Sequence, residues 1–277
     1  MLLYPLSKKI KGITITGVLL ILGCNNTPTL PQPTSPQPTE TSNSENTPEP
    51  TPEQIAKAPL PKPYTKPAVK PSAATQAEAA QYRQQGLEYR AQGRYDKAIA
   101  ALQNSVRLDP QNLSGQVILG WTLHLDGQAE NATGVLQQAL VQDADHVPAL
   151  NALGIVYLVD GQLEAAVDTH TKAVTLQPDN EIGYYNLSLA YHRLEDYGNA
   201  IANAQQAVDL EPGNPHPLVA LAIAHWDNQD PAAAQQAYQR AIDLDPSYQD
   251  SWFLDHLQQA GFSPEQIQTT DTIRQAV

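Results

Sequence analysis

The sequence predicts an all-α fold: an α-solenoid of about five helix–turn–helix units, a C-terminal capping segment and a disordered Pro-rich tether in front. Three observations predict it. Alanine recurs every 34 residues, at Ala98, Ala132, Ala166, Ala200 and Ala234. Other positions keep step: Gly86, Gly120 and Gly154 continue as Ser188 and Ala222, and Pro110, Pro178, Pro212 and Pro246 share one register. Finally, 13 of the 23 prolines fall between Pro28 and Pro71. A fixed period of this length means stacked supersecondary units, and such stacks usually bind rather than catalyse.

Residues 1–23 read as a signal peptide. A basic segment around Lys8, Lys9 and Lys11 precedes an apolar run from Ile13 to Leu22, which is short for a bilayer span. Ile21-Leu22-Gly23-Cys24 resembles a bacterial lipobox. That resemblance implies cleavage before Cys24 and acylation of its thiol and new amine. Ile21 and Leu22 depart from the commonest lipobox residues. Cys24 is the single cysteine, so a lipidated chain has no thiol left for a disulfide or a metal. Several acyl chains on one residue would hold the protein stably on a membrane.

Residues 24–75 form the lipidated cysteine and a Pro/Thr-rich linker. It has too little apolar content to offset the entropy of ordering, so it is expected to stay disordered or extended. At roughly 3.1 Å per residue it could hold a folded domain on the order of 160 Å from its anchor. Its four acids and four lysines cancel, which leaves the region from 76 onward with 9 basic and 25 acidic residues. A domain this acidic repels nucleic acid and anionic head groups, so neither is an expected partner.

The domain at 76–248 divides without gaps into units 79–112, 113–146, 147–180, 181–214 and 215–248. The third unit shows the logic. Leu150, Leu153, Gly154 and Tyr157 form one face of a first helix. Asp160-Gly161-Gln162 breaks the pattern. Ala166, His170 and Ala173 line a second helix, and Gln177-Pro178 ends it because proline cannot continue a helix. In the tail, 249–277, SWFLDHLQQAGF opens like a sixth first helix. Ser263-Pro264-Glu265 then carries the start signals of a last helix. The tail is read as the cap that an end repeat needs.

The units resemble the tetratricopeptide repeat (TPR) family. Tyr82, Gly86, Tyr89, Ala98, Leu102 and Pro110 carry the likeness in the first unit. Leu150, Leu153, Gly154, Tyr157, Ala166, Ala173 and Pro178 carry it in the third, and Leu218, Leu221, Ala234, Tyr238, Ala241 and Pro246 in the fifth. Ala144 stands where the pattern has proline, and His170 and Ala204 stand where it has an aromatic residue.

The resemblance implies a concave groove lined by the first helices. Carried over position by position, its wall includes Arg83, Leu87, Arg90, Val117, Trp121, His124, Leu125, Asn151, Ile155, Leu158 and Val159. It continues through Ile182, Tyr185, Leu189, His192, Arg193, His216, Val219, Ile223, Trp226 and Asp227. The partner-binding set is expected to be Arg83, Arg90, Trp121, His124, Asn151, Tyr185, His192, Arg193 and Trp226. Trp, Tyr and Arg on an apolar surface are the composition of binding hot spots. The same side chains could instead pack between neighbouring first helices or lie under the tail. A Lys and Asn clamp for a peptide carboxylate is not expected, because Leu87 stands where it would need Asn.

No catalytic constellation is visible. The histidines fall mostly on the repeat lattice, and no paired histidines, Gly-rich phosphate loop or serine elbow occurs. The expectation is therefore no enzyme, no metal and no cofactor. By family analogy alone, a TPR lipoprotein is a scaffold or adaptor for an unidentified protein outside the cytoplasm. A pilotin-like factor for an outer-membrane secretin and a self-associating spacer are the alternatives. Asn25 is not the aspartate that retains some lipoproteins in the inner membrane, which points to the outer one.

Overall fold

The computed structural model describes residues 70–277, together with four two-residue strands among the first eighteen residues. The rest of the first 23 residues, read above as a signal peptide, Cys24 and the linker up to residue 69 lie outside the described residues. From Ala73 to Leu244 the chain alternates first and second helices of five units: α1 Ala73–Ala91 and α2 Tyr95–Leu108; α3 Leu113–Leu125 and α4 Ala129–Gln142; α5 Val147–Val159 and α6 Leu163–Leu176; α7 Glu181–Arg193 and α8 Tyr197–Leu210; α9 Pro215–Asp227 and α10 Pro231–Leu244. Each helix packs on the next, and α3, α5, α7 and α9 also touch one another along the inner face. None of the described helices is long and apolar enough to cross a membrane.

Local chemistry sets each boundary. The last residue of a unit caps the following first helix: Asn112, Asn180 and Asn214 accept a backbone N–H with their side-chain oxygen, and His146 does so with Nδ1. At the turn inside each unit the chain needs a left-handed residue. Gly93, Gly127 and Gly161 supply it in the first three units, with φ of 71°, 77° and 82°. The last two units use Glu195 and Gln229 at φ 62° and 63°. A side chain there costs about 1 kcal/mol. Glu195→Gly and Gln229→Gly are therefore each expected to raise stability by about 0.5–1 kcal/mol, read as a higher urea midpoint with an unchanged slope.

Within a unit the two helices meet at one small residue facing one large one. A Cβ on Gly86 would stand 2.6 Å from Leu102, one on Gly120 2.6 Å from Leu136, and one on Gly154 2.4 Å from His170. The fourth unit makes the swap in size, with fully buried Ser188 and Ala204 at the matching positions.

The tail departs from the expected sixth first helix. Pro246–Gln249 and Ser251–Ala260 are 3-10 turns, Gly261 stops the second at φ 91°, and α11 spans Pro264–Ala276. Of the two aromatics expected on that helix, Phe253 is buried and Trp252 is exposed.

Candidate functional site

The inner face is not uniform, because the tail lies across half of it. Phe253, Leu254, Leu257, Phe262 and Ile273 join one buried cluster with Leu158, Leu189, Val219 and Ile223. Those last four are inner-face positions of the third to fifth units. Polar contacts fix the register. The Tyr185 hydroxyl donates to the Ala260 carbonyl at 2.7 Å, and its ring meets Phe262 at 6.1 Å between centroids. The Gln266 amide serves two elements at once. Its oxygen accepts the Ser263 N–H and closes a capping box, while its nitrogen donates to the Leu189 carbonyl and to His192 Nδ1.

His192 is thereby oriented. With Nδ1 accepting from Gln266, Nε2 carries the proton and donates to Asp227 at 2.9 Å. Burial lowers the His192 pKa, and Asp227 only partly offsets this. Nearby, His216 and His256 place their Nε2 atoms 3.3 Å apart, and Tyr248 reaches His256 Nε2 at 3.1 Å. Burial, aided by His256, pushes the His216 pKa down to about 4. Among the described residues no three His, Cys, Asp or Glu side chains gather as a metal site.

Five residues expected to contact a partner are thus engaged within the fold. Tyr185 and His192 are held by the tail, and Trp226 is half-buried against the C-terminal core. Arg193 donates to the Leu158 carbonyl. Asn151 is buried, and its amide exchanges two hydrogen bonds with Asn180, at 3.0 and 2.9 Å. The reason is geometric. Asn151 faces the N-cap residue of the next first helix, and two facing side-chain amides satisfy each other.

The other four stay together on the first two units. Arg83 and Arg90 lie on α1, and Trp121 and His124 lie on α3 with their rings 5.1 Å apart. All four are half-buried. Leu87 and Ile155 flank them, also half-buried, and Leu125 and Val159 are exposed at 37% and 51%. Burial lowers the His124 pKa, so its ring is neutral at pH 7. Where this open stretch meets the tail, a cavity of about 180 Å³ is lined by Val159, Arg193, Phe262 and Glu265 among others.

The open site is therefore an apolar stripe, Leu87–Trp121–Ile155, one residue from each of three adjacent first helices, flanked by two guanidinium groups on α1. Sequence reasoning placed these residues on one face. It missed Asn180, Ala260, Phe262 and Gln266, which close the other half. The S-x-x-Q spacing from Ser263 to Gln266 showed that a helix starts there, but no spacing shows which face that helix covers.

Tetratricopeptide repeat family models match residues 83–147, 151–215 and 191–253, together more than half of the chain. Among solved structures, MamA from Desulfovibrio magneticus RS-1 (residue 41 to the end) is 24% identical with a TM-score of 0.55, over 61% of this chain and 96% of its own. Another crystal structure of MamA protein is 23% identical with a TM-score of 0.53, over 61% and 93%. A thermophilic TPR protein of Thermus thermophilus is 22% identical with a TM-score of 0.52, over 61% and 92%. A search of curated proteins by sequence found no match. The structural likenesses establish the shared fold, and a repeat array of this kind is a protein-interaction scaffold. With its five in-register units and these family matches, the chain belongs to the tetratricopeptide repeat family.

Proposed function

We propose that this protein is a membrane-anchored adaptor of the bacterial cell envelope. Acylated at Cys24 and held away from the membrane by its linker, it binds a partner protein's segment on the open part of the inner face, over units one to three. One observation carries the reading. The inner face is apolar along its length, yet the tail covers units four and five and, in unit three, Leu158, so Leu87, Trp121, Ile155, Leu125 and Val159 remain accessible. Side chains this apolar, in one continuous stripe with arginines beside it, are the makings of a binding surface. The signal-like N-terminus and the single cysteine support placement outside the cytoplasm, and Asn25 after that cysteine supports the outer membrane as the proposed site.

The test is a crosslinking pull-down from native membranes with full-length protein. Trp121→Ala is expected to cut capture of the partner by about thirtyfold, as for a hot-spot residue contributing about 2 kcal/mol. Trp226→Ala, on the covered half, is expected to leave capture unchanged while the domain stays folded. Equal loss in both variants, or in neither, would contradict the reading.

A further inference from the structure

We infer that the segment bound on the open face is acidic: a peptide in polyproline II conformation with two carboxylates three residues apart that seat on Arg83 and Arg90, and an apolar residue between them on Leu87 and Trp121. This rests on the proposed function and adds the partner's chemistry to it.

The argument starts from two unpaired cations. Neither the Arg83 nor the Arg90 side chain makes a hydrogen bond or ion pair with any described residue, and in each the Nη1 atom is buried without a partner. Most arginines escape this by reaching water or a carboxylate, since a desolvated, unpaired cation is costly. Burial lowers the Arg90 pKa, and Tyr95 offsets this only in part. Arg83 lies against the next first helix. Its Nη1 stands 3.9 Å from where a Cβ of Gly115 would be, in the first turn of α3, at the positive end of that helix dipole. Both groups lie on an otherwise strongly acidic domain whose other carboxylates leave them unneutralised. An anion arriving from outside neutralises each guanidinium across its unburied edge.

The spacing defines the anion. Arg83 and Arg90 are seven residues apart on one straight helix, about 10.5 Å along its axis. A polyproline II chain advances about 3.1 Å per residue with three residues per turn, so carboxylates three residues apart lie on one face and match both guanidinium groups. Leu87 lies between the arginines on the same face, and Trp121 holds the matching register position on α3. One of the two residues between the acids therefore meets apolar surface. Each carboxylate pairs with the guanidinium edge left unburied, a charge-assisted contact in a partly desolvated setting.

Random peptides displayed on phage are selected on the full-length chain in detergent, and enriched peptides are measured by fluorescence anisotropy. The expected peptides carry acids three apart around an apolar residue. Their affinity should fall at least tenfold with Arg83→Gln, with Arg90→Gln and with Glu→Gln in the peptide, and fall further with added salt. Neither arginine variant should melt below the parent, because each removes an unpaired buried charge. Enriched peptides without acids, or acidic ones bound equally well by both arginine variants, overturn the inference. If such peptides still need Trp121, the open-face reading stands without it. Peptides indifferent to Trp121→Ala, Arg83→Gln and Arg90→Gln alike overturn both. Replacing Glu45, Glu49 and Glu53 of the linker by glutamine is expected to leave affinity unchanged. A tenfold gain would make the chain's own linker the occupant and overturn the claim of a separate partner.

Discussion

A chain ending at Gln249 is expected to lose several kcal/mol of stability and to self-associate as its concentration rises. The missing tail contributes Phe253, Leu254, Leu257, Phe262 and Ile273, each at most 7% exposed. Burying side chains of this size contributes about 1.5–3 kcal/mol apiece, roughly 10 kcal/mol before the entropy of ordering the tail is subtracted. Truncation also bares their partners. Leu158, Leu189, Val219 and Ile223 would face water as one apolar patch, continuous with the stripe of the first three units. Urea denaturation followed by sedimentation at several concentrations checks both effects. An unchanged midpoint and a concentration-independent monomer would mean that the tail does not cover units four and five. The polar contacts make a milder test of the same closure: Gln266→Ala removes the donor to Leu189 and His192 and one arm of the capping box.

His170→Leu is expected to stabilise the domain and to remove a large part of its acid sensitivity. The His170 ring is fully buried against Gly154, and neither nitrogen has a hydrogen-bond partner. The matching positions of the first two units hold Leu102 and Leu136, fully buried against Gly86 and Gly120. Leucine thus has a proven place in this packing, and relieving unsatisfied polar atoms is worth about 1–3 kcal/mol at neutral pH. The pH effect adds to this. Burial pushes the folded pKa of His170 down to about 3, whereas an unfolded histidine titrates near 6.5. Above pH 6.5 neither state holds the extra proton. Below it the unfolded chain binds more protons, so stability is lost as the pH falls from 6.5 toward 3. The loss reaches on the order of 3 kcal/mol by pH 4. His216 and the carboxylates titrate in both proteins, so the difference between parent and variant isolates His170. Urea midpoints at pH 7 and pH 4 are the measurement. A variant less stable than the parent, or a difference that does not grow at low pH, would contradict this.

What the sequence made legible is what repeats. The 34-residue period located each helix pair, the turn at Asp160-Gly161-Gln162 and the stop at Gln177-Pro178, because these features depend on neighbours within a unit or on the next unit. Trp121 and His124 were placed together on the inner face for the same reason. The features it hid occur once. Tyr185 meets Ala260 and Gln266 meets Leu189 across more than 70 residues, and no periodicity reports such a contact. Asn151 was read as a groove residue because its register position faces inward. Its pairing with Asn180 depends on two amides happening to face each other, which a position-by-position carry-over does not see. The missing glycines at 195 and 229 were visible as substitutions, but the left-handed backbone that makes them costly was not.

Site-specific photocrosslinking in native membranes tests the central claim most directly. A photoreactive residue is placed at Leu87 or Trp121, on the open half, and at Trp226, on the covered half. Adducts to one partner protein from Leu87 and Trp121, with none from Trp226, are the expected result. A partner adduct from Trp226 and none from the first two positions would contradict an open face confined to units one to three.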